Sequence, residues 1–303
     1  MATFVAHGGA TAGARNVEGT LQACQAGQGA LRAGASLLDA AVEACRVLED
    51  DGRYNAGRGS HLRLDGATVE MDAACMSSDG KFGAVVCVSD IRNPILAARG
   101  VYDTPHSSLV GLGATRFARG LGLPQRAEPS AQAVDHAREA REALRRAGFA
   151  QETGWRLDKI LEHWNYDGPP PADLSESDTV GVVATDGRDF AAAASTGGLS
   201  ITLLGRASDV GMLGAGIFAG PAGAVACTGR GEFLARTLFS HGIYAGLEAG
   251  VPVQTAVARA LAAVPPKTET GVIAVARDGF AAAGNCDMPW SVAQAHAAGQ
   301  ADA

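Results

Sequence analysis

Asp178-Thr179-Val180-Gly181-Val182-Val183-Ala184-Thr185-Asp186-Gly187-Arg188-Asp189-Phe190-Ala191-Ala192-Ala193-Ala194-Ser195-Thr196-Gly197-Gly198 is the stretch that decides the fold. Two apolar runs, 180–184 and 190–194, flank a short polar link with Asp-Gly in its turn, which is a hairpin signal. The pattern recurs: Gly271–Ala276 and Phe280–Gly284 flank Arg277-Asp278-Gly279. Strands joined so closely run antiparallel. Further strands are expected at Thr3–Ala6, at Thr68–Ala73 paired with Gly83–Ser89, and at Gly223–Thr228. Helical patterns surround them at Val17–Ala33, Ser36–Glu49, Pro94–Val101, Ser107–Arg119, Glu232–Leu247 and Val253–Val264. Ser36 followed by Asp39 reads as an N-cap with an acidic first turn. Helices flanking hairpin-joined strands predict layered α/β architecture with antiparallel sheets, not a doubly wound parallel sheet.

Composition narrows the class. Glycine is the outlier at 40 of 303 residues, well above its usual share of roughly 7%. The net charge is −7 and the pI ≈ 5.5, so a broad basic footprint for nucleic acid is not expected. No apolar run reaches the roughly 18 residues of a membrane helix. The N-terminus has no cationic region and reaches Gly8-Gly9 too early for a secretory signal. The six cysteines form no CxxC pair and read as small buried hydrophobes in a reducing compartment. A cytoplasmic protein is expected, with neither nucleic acid nor membrane as partner. Only 16 of the 57 Asp, Glu, Lys and Arg residues fall in 179–303, so that segment is expected to be the more deeply buried. Before it, about 125–178, lies a polar stretch. It carries a charged helix candidate at Ser130–Gly148 and ends in Pro169-Pro170-Pro171 and Ser175-Glu176-Ser177-Asp178, which reads as an exposed linker.

The glycines gather at strand ends: His7-Gly8-Gly9, Asn55-Ala56-Gly57-Arg58-Gly59, Thr196-Gly197-Gly198, Gly211 to Gly220 and Thr228-Gly229-Arg230-Gly231. Glycine there lets backbone approach a ligand. Neither GxGxxG nor GxxxxGK[ST] is present, nor are a GxSxG elbow or an HExxH pair, so nucleotide, serine-triad and zinc chemistry lack their usual signatures. Three threonines remain. Thr179 begins a strand, and Thr196 and Thr228 end strands beside glycines. Ordinary β-propensity and turn chemistry account for such threonines too. A threonine acts as a nucleophile without a histidine when it is N-terminal, because its own α-amine is the base. Thr179 would need cleavage of the Asp178–Thr179 bond, at the end of an exposed linker where a cut is tolerated.

The ordered set His7-Gly8-Gly9-Ala10, Asn55-Ala56-Gly57, Glu70-Met71-Asp72-Ala73, Arg92-Asn93-Pro94, Asp178-Thr179-Val180-Gly181, Ser195-Thr196-Gly197-Gly198, Gly205-Arg206-x-x-Asp209, Gly214-Ala215-Gly216 and Cys227-Thr228-Gly229-x-Gly231-Glu232 resembles the plant-type L-asparaginase / isoaspartyl peptidase family. These are N-terminal-nucleophile (Ntn) hydrolases related to aspartylglucosaminidase. The resemblance covers about residues 3–285. Each motif alone is weak, but their order and spacing together are specific. It implies an α+β fold, a four-layer αββα sandwich with two mainly antiparallel sheets, in one domain over 1–303. It also implies self-cleavage before Thr179 into an α chain (1–178) and a β chain (179–303), with two αβ units associating as a homodimer.

The resemblance also assigns roles. Thr179 is the nucleophile and Thr196 supports it. The Thr228 hydroxyl and Gly229 N–H form the oxyanion hole. Arg206 takes the substrate α-carboxylate, and Asp209, with the Gly231 carbonyl, takes the α-ammonium. Asn55 orients the Thr179 amine. No catalytic cofactor is implied, but a structural sodium is, held by main-chain carbonyls of Leu48, Glu49, Asp51, Tyr54, Ala56 and Arg58. The chain departs from the family in places. Where the family reads GRVGDSP or GRVGDTP, here stands Gly205-Arg-Ala-Ser-Asp209-Val-Gly. The acidic element after Asp72 becomes Met76-Ser77-Ser78-Asp79-Gly80, and Gly284-Asn285-Cys-Asp-Met288-Pro-Trp290 matches the family's FNTxxM region only in part. Pocket walls set which leaving group fits, so these changes bear on substrate preference. The expected reaction is hydrolysis of β-aspartyl amides: isoaspartyl dipeptides, L-asparagine or both. Alternatives are an aspartylglucosaminidase-like enzyme acting on glycosylated asparagine and a non-cleaving amino-acid-binding homologue.

Overall fold

The computed structural model describes residues 1–303 except 11, 14, 15, 64, 66, 127–159, 161, 168–178, 200, 201 and 296–303. The charged helix expected at Ser130–Gly148, most of the expected linker and Asp178 lie outside the described residues. Two sheets form the middle of the molecule. The first comprises β1 (Ala2–His7), β2 (Met71–Ser77), β3 (Phe82–Val88), β4 (Ser108–Val110), β5 (Thr179–Thr185), β6 (Phe190–Thr196) and β11 (Trp290–Ala295), in the order β11-β1-β5-β6-β2-β3-β4. The second comprises β7 (Ile217–Gly220), β8 (Gly223–Gly229), β9 (Thr270–Ala276) and β10 (Gly279–Gly284), in the order β10-β9-β8-β7. All pairings are antiparallel except β3 with β4.

Side-chain alternation shows how the layers stack. Val180, Val182 and Ala184 of β5 pack with residues of α1 (Val17–Arg32) and α2 (Leu37–Asp51), while Val183 packs against the second sheet. In β8, Ala224 and Ala226 face the first sheet. Val225 and Cys227 face α5 (Gly231–Thr237), α6 (Phe239–Glu248) and α7 (Val253–Ala262). With α3 (Pro94–Tyr102) and α4 (Gly111–Gly120) on the outer side of the first sheet, the order of layers is α/β/β/α, as the resemblance implied. Both faces of the central strands are covered, so their sequences read as unbroken apolar runs. Small residues such as Ala192, Ala194, Ala224 and Ala226 line the gap between the sheets, which lets two backbones approach and keeps the chain poor in aromatics.

Local chemistry sets the element ends. Ser36 Oγ accepts the Asp39 N–H at 3.1 Å, capping α2 as expected. Three expectations need correction. The strand placed at Thr68–Ala73 begins only at Met71, because the Thr68 N–H is held by the Asp65 carboxylate (2.8 Å) in a turn. The helix placed at Ser107–Arg119 starts at Gly111. Ser108–Val110 instead pairs in parallel with β3, and Gly111 at φ +57° turns the chain. The single helix placed at Glu232–Leu247 is two, α5 and α6, broken where Leu238 adopts φ +47°. Strands β7 and β11 have no counterpart among the expected strands; β11 owes its place to antiparallel pairing with β1.

Candidate active site

Three threonines meet the gap between the sheets at one edge. Thr179 shares its face with Val183, Thr196 with Ala192 and Ala194, and Thr228 with Ala224 and Ala226, all of them residues between the sheets. In the β5–β6 register Thr179 stands opposite Thr196, and the Thr179 hydroxyl donates to Thr196 Oγ1 at 3.2 Å. Thr196 Oγ1 also accepts the Gly198 N–H at 3.0 Å. Strand β8 packs against β5, and Thr228 is fully buried at its end. The Thr228 oxygen accepts the Ala10 N–H at 3.2 Å, which leaves the hydroxyl proton to donate elsewhere. The chain after β1 thus crosses from the first sheet to the second.

His7, which ends β1, lies fully buried opposite Gly181. A Cβ at Gly181 would stand 2.3 Å from the His7 Nε2, so the Thr-Val-Gly order leaves room for this ring. Burial pushes the imidazole down to about 3, against a smaller opposing effect of the Thr179 backbone, so it is neutral. Asn55 is tied to the loop behind the threonine pair. Its Nδ2 donates to the Gly198 carbonyl at 2.8 Å and its Oδ1 accepts the His61 N–H at 2.9 Å.

Arg206, Asp209 and Gly231 come together. A Cβ on Gly231 would stand 2.6 Å from Arg206 Nη2 and 2.7 Å from Asp209 Oδ1. Gly231 is three residues from Thr228, a span of at most about 10 Å. The guanidinium donates through Nε and Nη2 to Glu232 Oε1, at 2.9 and 2.8 Å. Asp209 is buried, and its Oδ2 has no hydrogen-bond partner among the described residues. Burial pushes its carboxyl up to about 7, opposed by Arg206 and reinforced by Glu232 and Asp72. A partly exposed cation beside a buried carboxyl is an arrangement suited to a small molecule bearing both charges. At Gly229 the backbone has φ +129°, and a Cβ would meet the Glu269 carbonyl at 2.1 Å, so only glycine fits. Gly231→Ala should push apart the two charged groups beside it and raise the KM for substrate about tenfold or more. Steady-state kinetics checks this, and a KM equal to wild type would refute the placement.

Several residues here carry no local sequence signal. Arg63 is buried; its Nη1 donates to the carbonyls of Gly197 (2.7 Å) and Leu199 (2.8 Å), and its Nη2 to that of Glu70 (2.7 Å). Only the fold shows that this arginine supports the loop after Thr196. Glu232 follows Gly231 in the glycine-rich motif, and the structure makes it the partner of Arg206.

The loop expected to hold sodium folds back on the C-terminus of α2. A Cβ on Gly57 would stand 2.7 Å from the Glu49 carbonyl oxygen, and one on Gly59 would stand 2.0 Å from that of Tyr54. Last-turn helix carbonyls such as those of Leu48 and Glu49 lack intrahelical partners and carry the negative end of the helix dipole. Neutral carbonyl oxygens so gathered suit a hard monovalent cation. The side chains are otherwise engaged. Asp51 pairs with Arg53 at 2.6 Å, and Glu49 turns into the core to accept the Ile95 N–H at 2.9 Å. Burial pushes the Glu49 carboxyl up to about 8. Among the described residues no cluster of His, Cys, Asp or Glu could hold a metal ion.

A buried threonine at a strand start, bonded to a second threonine on an αββα sandwich, is the arrangement of the threonine-nucleophile amidohydrolase class. The chain belongs to the asparaginase family, whose model matches residues 2–302. It is 36% identical to a plant-type L-asparaginase of Pyrococcus furiosus, over 92% of this chain and 91% of that protein. It is 38% identical to an isoaspartyl peptidase of Salmonella typhimurium, over 82% and 80%. It is 35% identical to an isoaspartyl peptidase/L-asparaginase of Danio rerio, over 97% and 93%.

Proposed function

We propose that the chain is a self-processing threonine amidohydrolase that splits β-aspartyl amides, isoaspartyl dipeptides and L-asparagine, into L-aspartate and an amine or ammonia. The observation that carries this reading is the 3.2 Å bond between the Thr179 and Thr196 hydroxyls at one edge of the inter-sheet gap, with the Arg206–Asp209 pair lying against Gly231, three residues from Thr228. In the first event Thr179 Oγ attacks the Asp178 carbonyl carbon. The C–N bond breaks as a C–O ester forms, and water hydrolyses the ester to a free Asp178 carboxylate and a free Thr179 α-amine. In turnover that amine takes the proton from Thr179 Oγ, which attacks the substrate's side-chain amide carbon. The oxyanion lies against the Thr228 hydroxyl and Gly229 N–H. Collapse expels the amine, which takes up the proton, and water then releases aspartate from the ester.

Arg206 and Asp209 hold the free α-carboxylate and α-ammonium, and Asn55 acts through the loop at Gly198. An α-linked aspartyl peptide has no free α-carboxylate to offer Arg206, so the receptor selects β-linkage. Turnover of a β-aspartyl dipeptide, its α-linked isomer, L-asparagine and a glycosylated asparagine, compared by kcat/KM, tests the reading. Activity only on the α-linked isomer, or on none, sinks it. The same reading includes a homodimer of αβ units, measurable by light scattering, and a cytoplasmic location, which suits six cysteines of which none forms a disulfide among the described residues. It also includes a structural sodium on the carbonyls of Leu48, Glu49, Asp51, Tyr54, Ala56 and Arg58. Exchanging sodium for a large organic cation should lower the Tm by several degrees; an unchanged Tm refutes the site.

A further inference from the structure

The loop that carries Arg206 and Asp209 lies in the segment after Thr179; Glu232 of that segment holds the Arg206 side chain, but several groups that hold the loop's backbone lie before Thr179. The Tyr166 hydroxyl donates to the Thr202 carbonyl at 2.7 Å. Asn165 brackets Leu204: its Nδ2 donates to the Leu204 carbonyl (3.0 Å) and its Oδ1 accepts the Leu204 N–H (2.9 Å). The Gly205 N–H donates to Glu70 Oε2 at 2.8 Å. The Ser208 N–H donates to Asp72 Oδ2 at 2.5 Å, while Asp72 Oδ1 accepts the Cys87 N–H at 2.6 Å. Arg206 therefore sits between two carboxylate clamps, and Asp209 follows the second directly. Glu70 and Asp72 are both buried, where a charged acceptor holds a backbone N–H strongly. Arg63 approaches Glu70 Oε2 at 3.6 Å and links this clamp to the loop behind Thr196. The loop itself, Gly205-Arg-Ala-Ser-Asp209-Val-Gly, contains no proline to stiffen it.

We infer that Glu70 and Asp72 are positioning residues that set the spacing between Arg206 and Asp209, so recognition of the amino acid is fixed from the N-terminal side of the cleavage point. This rests on Arg206 and Asp209 being the substrate-binding pair. Both Asp72 oxygens accept backbone N–H groups, so the amide nitrogen of Asp72→Asn must face one of those donors and break its bond. The KM for a β-aspartyl dipeptide and the Kd for L-aspartate should rise about tenfold or more in Asp72→Asn and about threefold in Glu70→Gln, with kcat moving less than about threefold. The preference for L-aspartate over succinate, which lacks the ammonium, should fall in parallel. A merely structural role would lower the active fraction and leave KM and this preference unmoved. Exposed Asn165 offers a variant that does not disturb the core, and Asn165→Ala should raise KM about threefold. If KM and the preference stay within about twofold of wild type in every variant that folds, while wild type turns over normally, this inference fails alone. If wild type neither turns over nor binds L-aspartate, the hydrolase reading fails with it.

Discussion

Thr179→Ala should remain a single chain of 30.7 kDa after long incubation and should show no turnover, with kcat reduced by at least about 10⁴-fold. Both losses have one cause. Self-cleavage needs the Thr179 oxygen to attack the preceding carbonyl, and turnover needs the same oxygen together with the α-amine that cleavage liberates. No neighbour substitutes for it. Thr196, the last residue of β6, lies within the chain and has no free α-amine, and its oxygen already accepts two hydrogen bonds; Thr228, one residue before the end of β8, lies within the chain too. The fold should survive, because among the described residues the side chain's one hydroxyl contact is the 3.2 Å bond to Thr196, worth about 1 kcal/mol. Thr179→Ser keeps oxygen and amine and should yield both fragments, residues 1–178 and 179–303. Intact mass spectrometry reads the processing, and an amide-hydrolysis assay reads the turnover. An alanine variant that still splits between 178 and 179 would exclude Thr179 as nucleophile and remove the self-processing mechanism with it.

What was legible in the sequence follows from distance along the chain. Strands β5 and β6 are adjacent in sequence, so Asp186-Gly187 announces their pairing and their register places Thr179 opposite Thr196. Gly229 and Gly231 were legible as places where backbone nears a ligand, because a Cβ there has no room. Arg63, Glu70 and Asp72 act on partners more than 130 residues away, and no local pattern encodes such a contact. Glu232 lies in a motif, but only the fold swings Arg206 onto it. The misread elements follow the same logic. Leu238 looks helical by composition, yet the chain turns there into the left-handed region and starts a second helix. Ser108–Val110 is a strand because β3 offers it an open edge, and an edge is a property of the sheet rather than of three residues.

Asp209→Asn should lower kcat/KM by about 10²- to 10³-fold and yet raise the Tm of the ligand-free protein above pH 7. The carboxyl is buried, with Oδ2 unpartnered among the described residues, and burial lifts it from 3.8 to about 7 despite the nearby Arg206. Between those values the folded chain holds a proton that the unfolded chain has lost. Stability therefore falls as pH rises through this window, and the full cost is present above about 7, on the order of 1 kcal/mol for each pKa unit displaced. The amide carries no charge to desolvate, so the variant should gain Tm at pH 8 and match wild type near pH 4. Function runs the opposite way, since only the ionised carboxylate binds an ammonium. For wild type kcat/KM should fall below about pH 7 as Asp209 protonates in the free enzyme, while kcat should lack this limb because bound substrate keeps the group ionised. The Thr179 α-amine, ordinarily near 7.7–8.0, titrates in both profiles, so the limb found in kcat/KM alone belongs to Asp209. It should vanish in Asp209→Asn. A variant that is no more stable than wild type at pH 8, or that keeps wild-type kcat/KM, would show that Asp209 neither bears a buried charge nor receives the substrate's ammonium.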